Sequence, residues 1–502
     1  MNRRIRWLGF ILLACFSLLF LQLNNLQARV AVKGGHPPGP PPPSVDTYLL
    51  ARGHIYSSDG VMLAYSKRTK DIFNYLRVYP KATATLFAGL TGYESVAAGN
   101  ATGLELEYNL FLAQHQAPVT TLGQLIVNHD VTDNVTVTVS DALQQVAAAA
   151  LNGRPGAVVA IDPRTGAILA MYGNPTFDPN LLAVHNRKAA LANYNKLLNA
   201  PGDALLNYPT AVAKAPGSTF KIVDLSAIFD QEPKIAAQKW TAVRSIVLPQ
   251  TGGQTLQNFA AELCPTAGND LAAVLLQSCD TSFALIGQEL GAQKLYNAAL
   301  AFGFDHTPPL DLPQGEVAKS NFPAPQTLVG DTPGLMKSAI GQENVTATTL
   351  QMALVAAGIA NNGVIMFPHL LDKIVDDQGN LVRTYKPHAW RRATSAAAAS
   401  TIRQLMLGVT QNPSGTAYGL FPSNVFPPIA AKTGTAQINA QSCGTYNWLI
   451  ATGPAGPGQV PTVAVAAVVP IPPGAGCQNV TGAQVAGPVV AQVMQKALAM
   501  AK

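Results

Sequence analysis

Histidine is sparse in this chain and never patterned. The eight histidines show neither H-E-x-x-H nor any paired spacing, so no metal centre is implied, and no cofactor is expected. A G-x-S-x-G element is also missing, which removes the nucleophile elbow of the α/β-hydrolases. No basic run is interleaved with aromatic residues, and a net charge of +6 over 502 residues is modest, so nucleic acid is not an expected partner. Lys432-Thr433 lacks the preceding glycine run of a phosphate-binding loop. There are no internal repeats, and only five cysteines.

What is present begins with apolar bulk. At 48% hydrophobic residues the chain can bury more than one core, which suggests two folded domains with appendages. Arg3, Arg4 and Arg6 in a tail of residues 1–6 precede an uncharged stretch, Trp7 to Leu23, at the short end of what crosses a bilayer. Positive-inside logic puts the N-terminus in the cytoplasm and everything after residue 23 outside. No clean small-x-small site follows, so 7–23 is read as an uncleaved membrane anchor rather than a signal peptide. Leu12-Leu13-Ala14-Cys15 resembles a lipoprotein box, but the apolar run continues past Cys15. Residues 24–50 form a linker with the run His36 to Pro43, a semi-rigid polyproline spacer.

Residues 51–152 are expected to form a smaller N-terminal domain, a pedestal or docking module. Ser57-Ser58-Asp59-Gly60 signals a hairpin between His54-Ile55-Tyr56 and Val61 to Ala64, and Val131 to Val139 alternates as a half-exposed strand. His54, His115 and His129 are isolated. From residue 153 the pattern changes. Ala157 to Ile161 and Ala167 to Met171 are continuous apolar strands around Asp162-Pro163-Arg164-Thr165-Gly166. Helical segments follow at 186–199, from Ser218, at 270–277 and at 347–361. Three late strands are expected at 429–436, 446–451 and 462–469, and a closing helix at 483–501, with Pro488 as a kink or an N1 residue. The implied fold class is α/β of the α+β type: one antiparallel sheet assembled from both ends of 153–502, flanked by helices.

The chemistry centres on Ala215-Pro216-Gly217-Ser218-Thr219-Phe220-Lys221, where Ser218 and Lys221 stand three positions apart and share a helix face. Ser218 is expected in the first helical turn, where negative charge is favoured. Lys221 can take its proton once burial or a nearby cation leaves the amine neutral. Ser278-Cys279-Asp280 follows 60 residues later and Lys432-Thr433-Gly434-Thr435 another 154 residues on. Taken singly, Ser278 reads as a cap, Lys432 as a strand end and Lys221 as a solvated lysine; their joint order behind an anchor argues otherwise.

That ordered set is one that β-lactamases and penicillin-binding proteins share. With Arg52 to Tyr56, Gly103-Leu104-Glu105, Ala160 to Gly166, Gly341-Gln342 and Ile359 to Gly363, the chain resembles the class B penicillin-binding proteins, most closely their short PbpA-like actinobacterial members. The resemblance spans most of 51–500. It implies a penicillin-binding/β-lactamase-like fold and a peptidoglycan D,D-transpeptidase, inhibited covalently by β-lactams, that acts on D-Ala-D-Ala stem peptides. It further implies that Ser218 forms the acyl-enzyme, Lys221 takes its proton, and Ser278 relays it to the leaving amine. Lys432 binds the substrate carboxylate, with Thr433, Gly434 and Thr435 as further substrate contacts. The backbone N–H groups of Ser218 and Thr435 make the oxyanion hole. A glycan polymerase or division proteins are implied as partners.

The rivals are a D,D-carboxypeptidase or β-lactamase-like hydrolase, a lactam-sensing receptor, and a catalytically idle division scaffold. Glu289, Glu316 and Glu343 all lack the E-x-x-L-N context of a class A deacylating glutamate. Lactam receptors carry more membrane spans, and intact Ser218, Lys221 and Lys432 oppose the scaffold. Two residues depart from the family pattern: Tyr208 for Arg, and Asp280 for Asn. An ionised Asp280 can only accept hydrogen bonds. It therefore either pairs with a cation, with Lys432 preferred over Lys221 near neutral pH, or is protonated by burial and donates as Asn would. Four cysteines lie outside the membrane and allow three pairings; Cys264–Cys279 and Cys443–Cys477 are favoured.

Overall fold

The computed structural model describes residues 50–95, 100–113, 115–116, 130–438, 444–472 and 480–501, with Trp7 and Ser17. Nearly all of the expected linker and of the expected anchor lie outside these residues. Among the described residues no helix is long and apolar enough to cross a membrane. The chain divides into two compact units, 1–42 and 43–502, and both large sheets and the helices packed on them belong to the second.

The catalytic half is built on a five-stranded antiparallel sheet: β1 (Gly156–Ile161), β2 (Ile168–Asn174), β3 (Ala430–Gln437), β4 (Thr445–Gly453) and β5 (Val463–Ile471). The spatial order is β2-β1-β5-β4-β3. Both ends of the segment therefore supply strands, as the two apolar runs and the three late ones imply. All six residues of β1 are buried, which is why its sequence is apolar without alternation. Register is regular along β3 and β4, with Lys432 opposite Ile450 and Thr435 opposite Asn447.

Helices cover both faces. The segment after Ser218 becomes α1 (Lys221–Gln231), and α2 (Asp280–Leu290) lies nearby. Helix α3 (Thr349–Ala360) is buried along all twelve residues. Its apolar, unstriped sequence suits a central helix with no water-facing side, and Thr348 caps it by accepting from the Gln351 amide at 3.1 Å. The closing helix breaks at Ala486 into Gly482–Val485 and α4 (Gly487–Met500), with Pro488 in the first turn of α4, where a missing N–H costs nothing.

A second, six-stranded sheet was only partly foreseeable. Ile55–Tyr56, Met62–Arg68, Tyr75–Val78 and Asn134–Val137 come from the N-terminal region, but Leu371–Val375 and Leu381–Thr384 come from beyond α3. Leu371–Val375 pairs antiparallel with Asn134–Val137, so this sheet crosses the expected boundary at residue 152. The Asp59-Gly60 hairpin forms as expected. Asp59 also caps the helix Asp141–Leu151, accepting from the Asp141 and Ala142 amides and from the Ser140 hydroxyl. Burial opposes its charge, but those hydrogen bonds and one from Ser57 hold its pKa at about 2.

Inside the N-terminal region lies a closed ionic cluster. Arg52 meets Glu94 at 3.1 Å and Glu105 at 3.1 Å, and Arg77 meets Glu105 at 2.6 Å, all four buried. Asn109 accepts from Arg52 at 2.7 Å, and Tyr79 donates to Glu105 at 3.1 Å. This is the physical content of the Arg52-Gly53 and Gly103-Leu104-Glu105 stretches: the two halves of one buried pair.

Candidate active site

Ser218 does not sit in the first turn of an α-helix, as its sequence context implies, but in the 3-10 turn Gly217–Thr219 that leads into α1. Gly217 has φ 55°, and a Cβ there would lie 2.9 Å from the Thr435 carbonyl. At Gly434 a Cβ would meet the Pro216 carbonyl oxygen at 2.7 Å and the Thr219 amide at 3.1 Å. Only glycines let the nucleophile turn and β3 approach so closely. Trp448, fully buried on β4, donates its indole N–H to the Ala215 carbonyl at 2.8 Å, and the Gly217 amide donates to Gly341 at 2.9 Å.

Ser278 follows the helix Leu271–Leu276 in a left-handed conformation, φ 60°, which a side chain seldom adopts. Such strain costs roughly 1–3 kcal/mol and collects at functional sites. Cys279 next to it is bridged to Cys264, with Cα atoms 5.6 Å apart, as favoured from the sequence. Cys443 and Cys477 lie outside the described residues. Asp280 begins α2, the helix end where a carboxylate is favoured. Asn258 secures the same turn, accepting from the Thr281 amide and hydroxyl, each at 3.0 Å.

The three segments converge. Lys221 and Lys432 are both wholly buried and Ser218 is 8% exposed. Lys432 Nζ donates to Ser278 Oγ at 2.7 Å and to the Thr433 carbonyl at 2.8 Å. Lys221 Nζ donates to Asp280 Oδ1 at 2.6 Å, to the Ser278 carbonyl at 2.9 Å and to Ser278 Oγ at 3.4 Å. Ser218 Oγ donates to Asp280 Oδ1 at 3.2 Å. Asp280 thus pairs with Lys221, not with the preferred Lys432. Position explains it: Asp280 at the start of α2 faces the first turn of α1, whereas the strand projects Lys432 onto Ser278.

Burial drives both lysines below the ordinary amine range. For Lys221 the Asp280 carboxylate opposes that effect; for Lys432 the charge of Lys221 adds to it and the pKa falls far. Thr433 and Thr435 turn to the other side of β3, where Thr433 Oγ1 lies 2.8 Å from Thr416 Oγ1 and Thr435 Oγ1 accepts from the Gly482 amide at 3.1 Å. β3 is the last strand in its sheet order, so an extended peptide can add along it. Thr416, Asn258 and Trp448 carried no sequence signal, since each acts through a contact made only on folding. Gly341 stood in a family-like stretch without an assigned role. The sequence also passed over Asp224, a fully buried carboxyl one turn beyond Lys221 whose two oxygens have no hydrogen-bond partner. Tyr208, in the position of the family arginine, is partly buried in the short helix Tyr208–Ala211, and burial pushes its pKa up to about 12.

A sheet with two strands from one end and three from the other, a serine turn clamped to its edge strand and two buried lysines beside it define an acyl-transferring penicillin-binding fold. The family described as the penicillin binding protein transpeptidase domain matches residues 156–495, and the penicillin binding protein A dimerisation domain matches residues 52–130. The chain belongs to the penicillin-binding protein transpeptidase family. It is similar to the peptidoglycan D,D-transpeptidase PbpA of Mycolicibacterium smegmatis, at 35% identity over 89% of this chain and 88% of that one. To the Mycobacterium tuberculosis protein of the same name it is 32% identical over 99% of each. The crystal structure of PBPA from M. tuberculosis superposes with a TM-score of 0.77, covering 89% of this chain and 99% of that one. The same M. tuberculosis protein is also known as a penicillin G acyl-enzyme complex, with 31% identity, a TM-score of 0.76 and 89% of this chain covered, 99% of that one.

Proposed function

We propose that this protein is a serine-type peptidoglycan D,D-transpeptidase, acylated at Ser218 by D-Ala-D-Ala stem peptides and by β-lactams, that builds cell wall during growth or division. The observation that carries this reading is the meeting of Ser218, Lys221, Ser278, Asp280 and Lys432 through hydrogen bonds of 2.6 to 3.4 Å beside an edge strand. Ser218 Oγ attacks the penultimate D-Ala carbonyl, giving up its proton to the Lys221–Asp280 pair. The backbone amides of Ser218 and Thr435 hold the oxyanion, each such donor typically contributing ~3 kcal/mol. Ser278, set between the two lysines, returns a proton to the departing D-Ala amine. The edge of β3 from Lys432 to Thr435 receives the substrate through its backbone, with Lys432 and Gly434 on the Ser218 side and Lys432 as a donor toward the stem carboxylate; the Thr433 and Thr435 hydroxyls, bonded on the other side of the strand, are not among the substrate contacts expected of them.

In this reading residues 1–6 are a cytoplasmic tail, 7–23 a single membrane span and 24–50 the spacer. Residues 51–152 form the pedestal and 153–502 the transpeptidase, both outside the cytoplasm. A glycan polymerase or division proteins would be met through 51–152. The test is to incubate the purified full chain with a fluorescent penicillin and map the adduct. We expect a covalent label on Ser218 that disappears in Ser218→Ala; undiminished labelling of that variant, or none in the parent, overturns the assignment.

A further inference from the structure

We infer that Asp280, rather than Lys221, is the group that first receives the Ser218 proton. The inference rests on the acyl-transfer reading above, because it assigns a catalytic role within that same site.

The geometry points to it through donors and acceptors. An ammonium carries three donors and no acceptor, and Lys221 Nζ makes three contacts as donor: to Asp280 Oδ1, to the Ser278 carbonyl and to Ser278 Oγ. A lysine so placed is complete as a cation. The Ser218 hydroxyl in turn donates to Asp280 Oδ1, 3.2 Å away. One carboxylate oxygen therefore accepts from both the nucleophile and the cation. With Asn, the family residue, a neutral amide would stand here and could not take a proton; the departure at this position supplies a base.

The charged groups around Asp280 come from each packed element. Lys221 faces it from α1 and Lys432 acts on it from β3. Asp224, one turn further along α1, acts on Lys221. On the helices packed against α2, Lys294 is paired with Glu232 at 2.5 Å and Lys337 with Glu343 at 3.2 Å. The site is thus two lysines around one carboxylate.

The steps balance. As Ser218 Oγ forms its bond to the carbonyl carbon, the O–H bond breaks and the proton passes to Asp280 Oδ1, while the carbonyl π electrons move onto oxygen. Collapse of the adduct breaks the carbon–nitrogen bond. The leaving nitrogen takes a proton from Ser278 Oγ, Ser278 is refilled from Lys221 Nζ, and Lys221 is refilled from Asp280. The Ser218 proton ends on the leaving amine, and both the carboxylate and the ammonium are restored.

The test is the pH profile of penicillin acylation by the full chain, the Asp280→Asn variant and the Asp280→Glu variant, with melting curves to show that each is folded. A lysine base must be neutral and is lost as pH falls, a requirement that a carboxylate base does not share. From pH 8.5 to pH 5 the parent rate constant is expected to fall less than threefold and that of Asp280→Asn more than tenfold, with Asp280→Glu slower than the parent but flat like it. Superimposable profiles for parent and Asp280→Asn overturn the assignment, as does a parent that itself falls tenfold. An unlabelled parent would instead overturn the acyl-transfer reading.

Discussion

Two buried ionic clusters divide the labour of this molecule. Near the N-terminus Arg52 and Arg77 face Glu94 and Glu105, two cations against two acids, with Tyr79 and Asn109 filling remaining bonds. In the active site Lys221 and Lys432 lie beside one hydrogen-bonded carboxylate, Asp280, with the unbonded carboxyl of Asp224 one turn away. The first is balanced, and its members sit where charge can be kept: burial would raise both acids, yet Glu105 is held below the usual carboxylate range by Arg77 and Arg52. Glu94, with Arg52 as its main partner, is instead pushed up by burial to about 7. The second is unbalanced: burial lowers the pKa of both lysines, furthest for Lys432, while the Asp280 carboxylate works to hold the charge of Lys221. A balanced cluster ties distant chain segments together; an unbalanced one keeps protons ready to move.

Breaking the balanced cluster should give the largest effect. Glu105→Ala leaves Arg52 and Arg77 buried with one partner fewer, and loss of a buried partner costs ~3–5 kcal/mol. We expect denaturant unfolding of the variant to show a loss of that size, while the surviving folded fraction still acylates at Ser218. Stability close to that of the parent would mean that the cluster is not structural.

Breaking the unbalanced cluster should reverse the pattern. Lys432→Met removes a buried amine that has no carboxylate of its own, so stability is expected to hold or rise. Acylation should fall about 100-fold, corresponding to ~2.7 kcal/mol of lost transition-state stabilisation. Stopped-flow penicillin acylation together with a melting curve checks both halves, and a destabilised variant with normal acylation would erase the distinction between the two clusters.

The smallest effect concerns Asp224, which lies beside the unbalanced cluster without hydrogen bonds. Burial raises its pKa well above the ordinary value, with Lys221 opposing. The native carboxyl therefore keeps its proton at pH values where the unfolded chain has lost its own, so its contribution to stability falls as pH rises above ~4. Asp224→Asn should gain ~1–2 kcal/mol at pH 7 and little below pH 4. A gain independent of pH would show that shape and not protonation is responsible.

The catalytic residues could be read in the sequence because each is fixed by a local rule. Ser218 and Lys221 lie three apart in one turn, Ser278 and Asp280 flank Cys279, and Lys432 to Thr435 occupy one strand, so spacing and order identify them before any fold exists. The five-stranded sheet was readable for a similar reason: β1 and β5 are buried on both faces and read as unbroken apolar runs. The strands 371–375 and 381–384 were not. Leu381–Thr384 is exposed along its length, so no burial pattern marks it, and only its pairing partner defines it.

Residue identity, spacing and apolar patterning are properties of short stretches, and from them the sequence by itself determined the nucleophile, its lysines and the strand that borders them, while it favoured the Cys264–Cys279 pairing among three. Which cation Asp280 meets was decided by tertiary structure alone. Residues 221, 280 and 432 are far apart along the chain, and their distances follow from how the Asp280 end of α2, the first turn of α1 and β3 come together. The same is true of Asp224, whose isolation depends on burial on every side of a helix, and of Arg52 and Glu105, which lie 53 positions apart. A charge 2.6 Å away and burial from solvent shift the protonation of a side chain, and both are set only when distant segments close on one another.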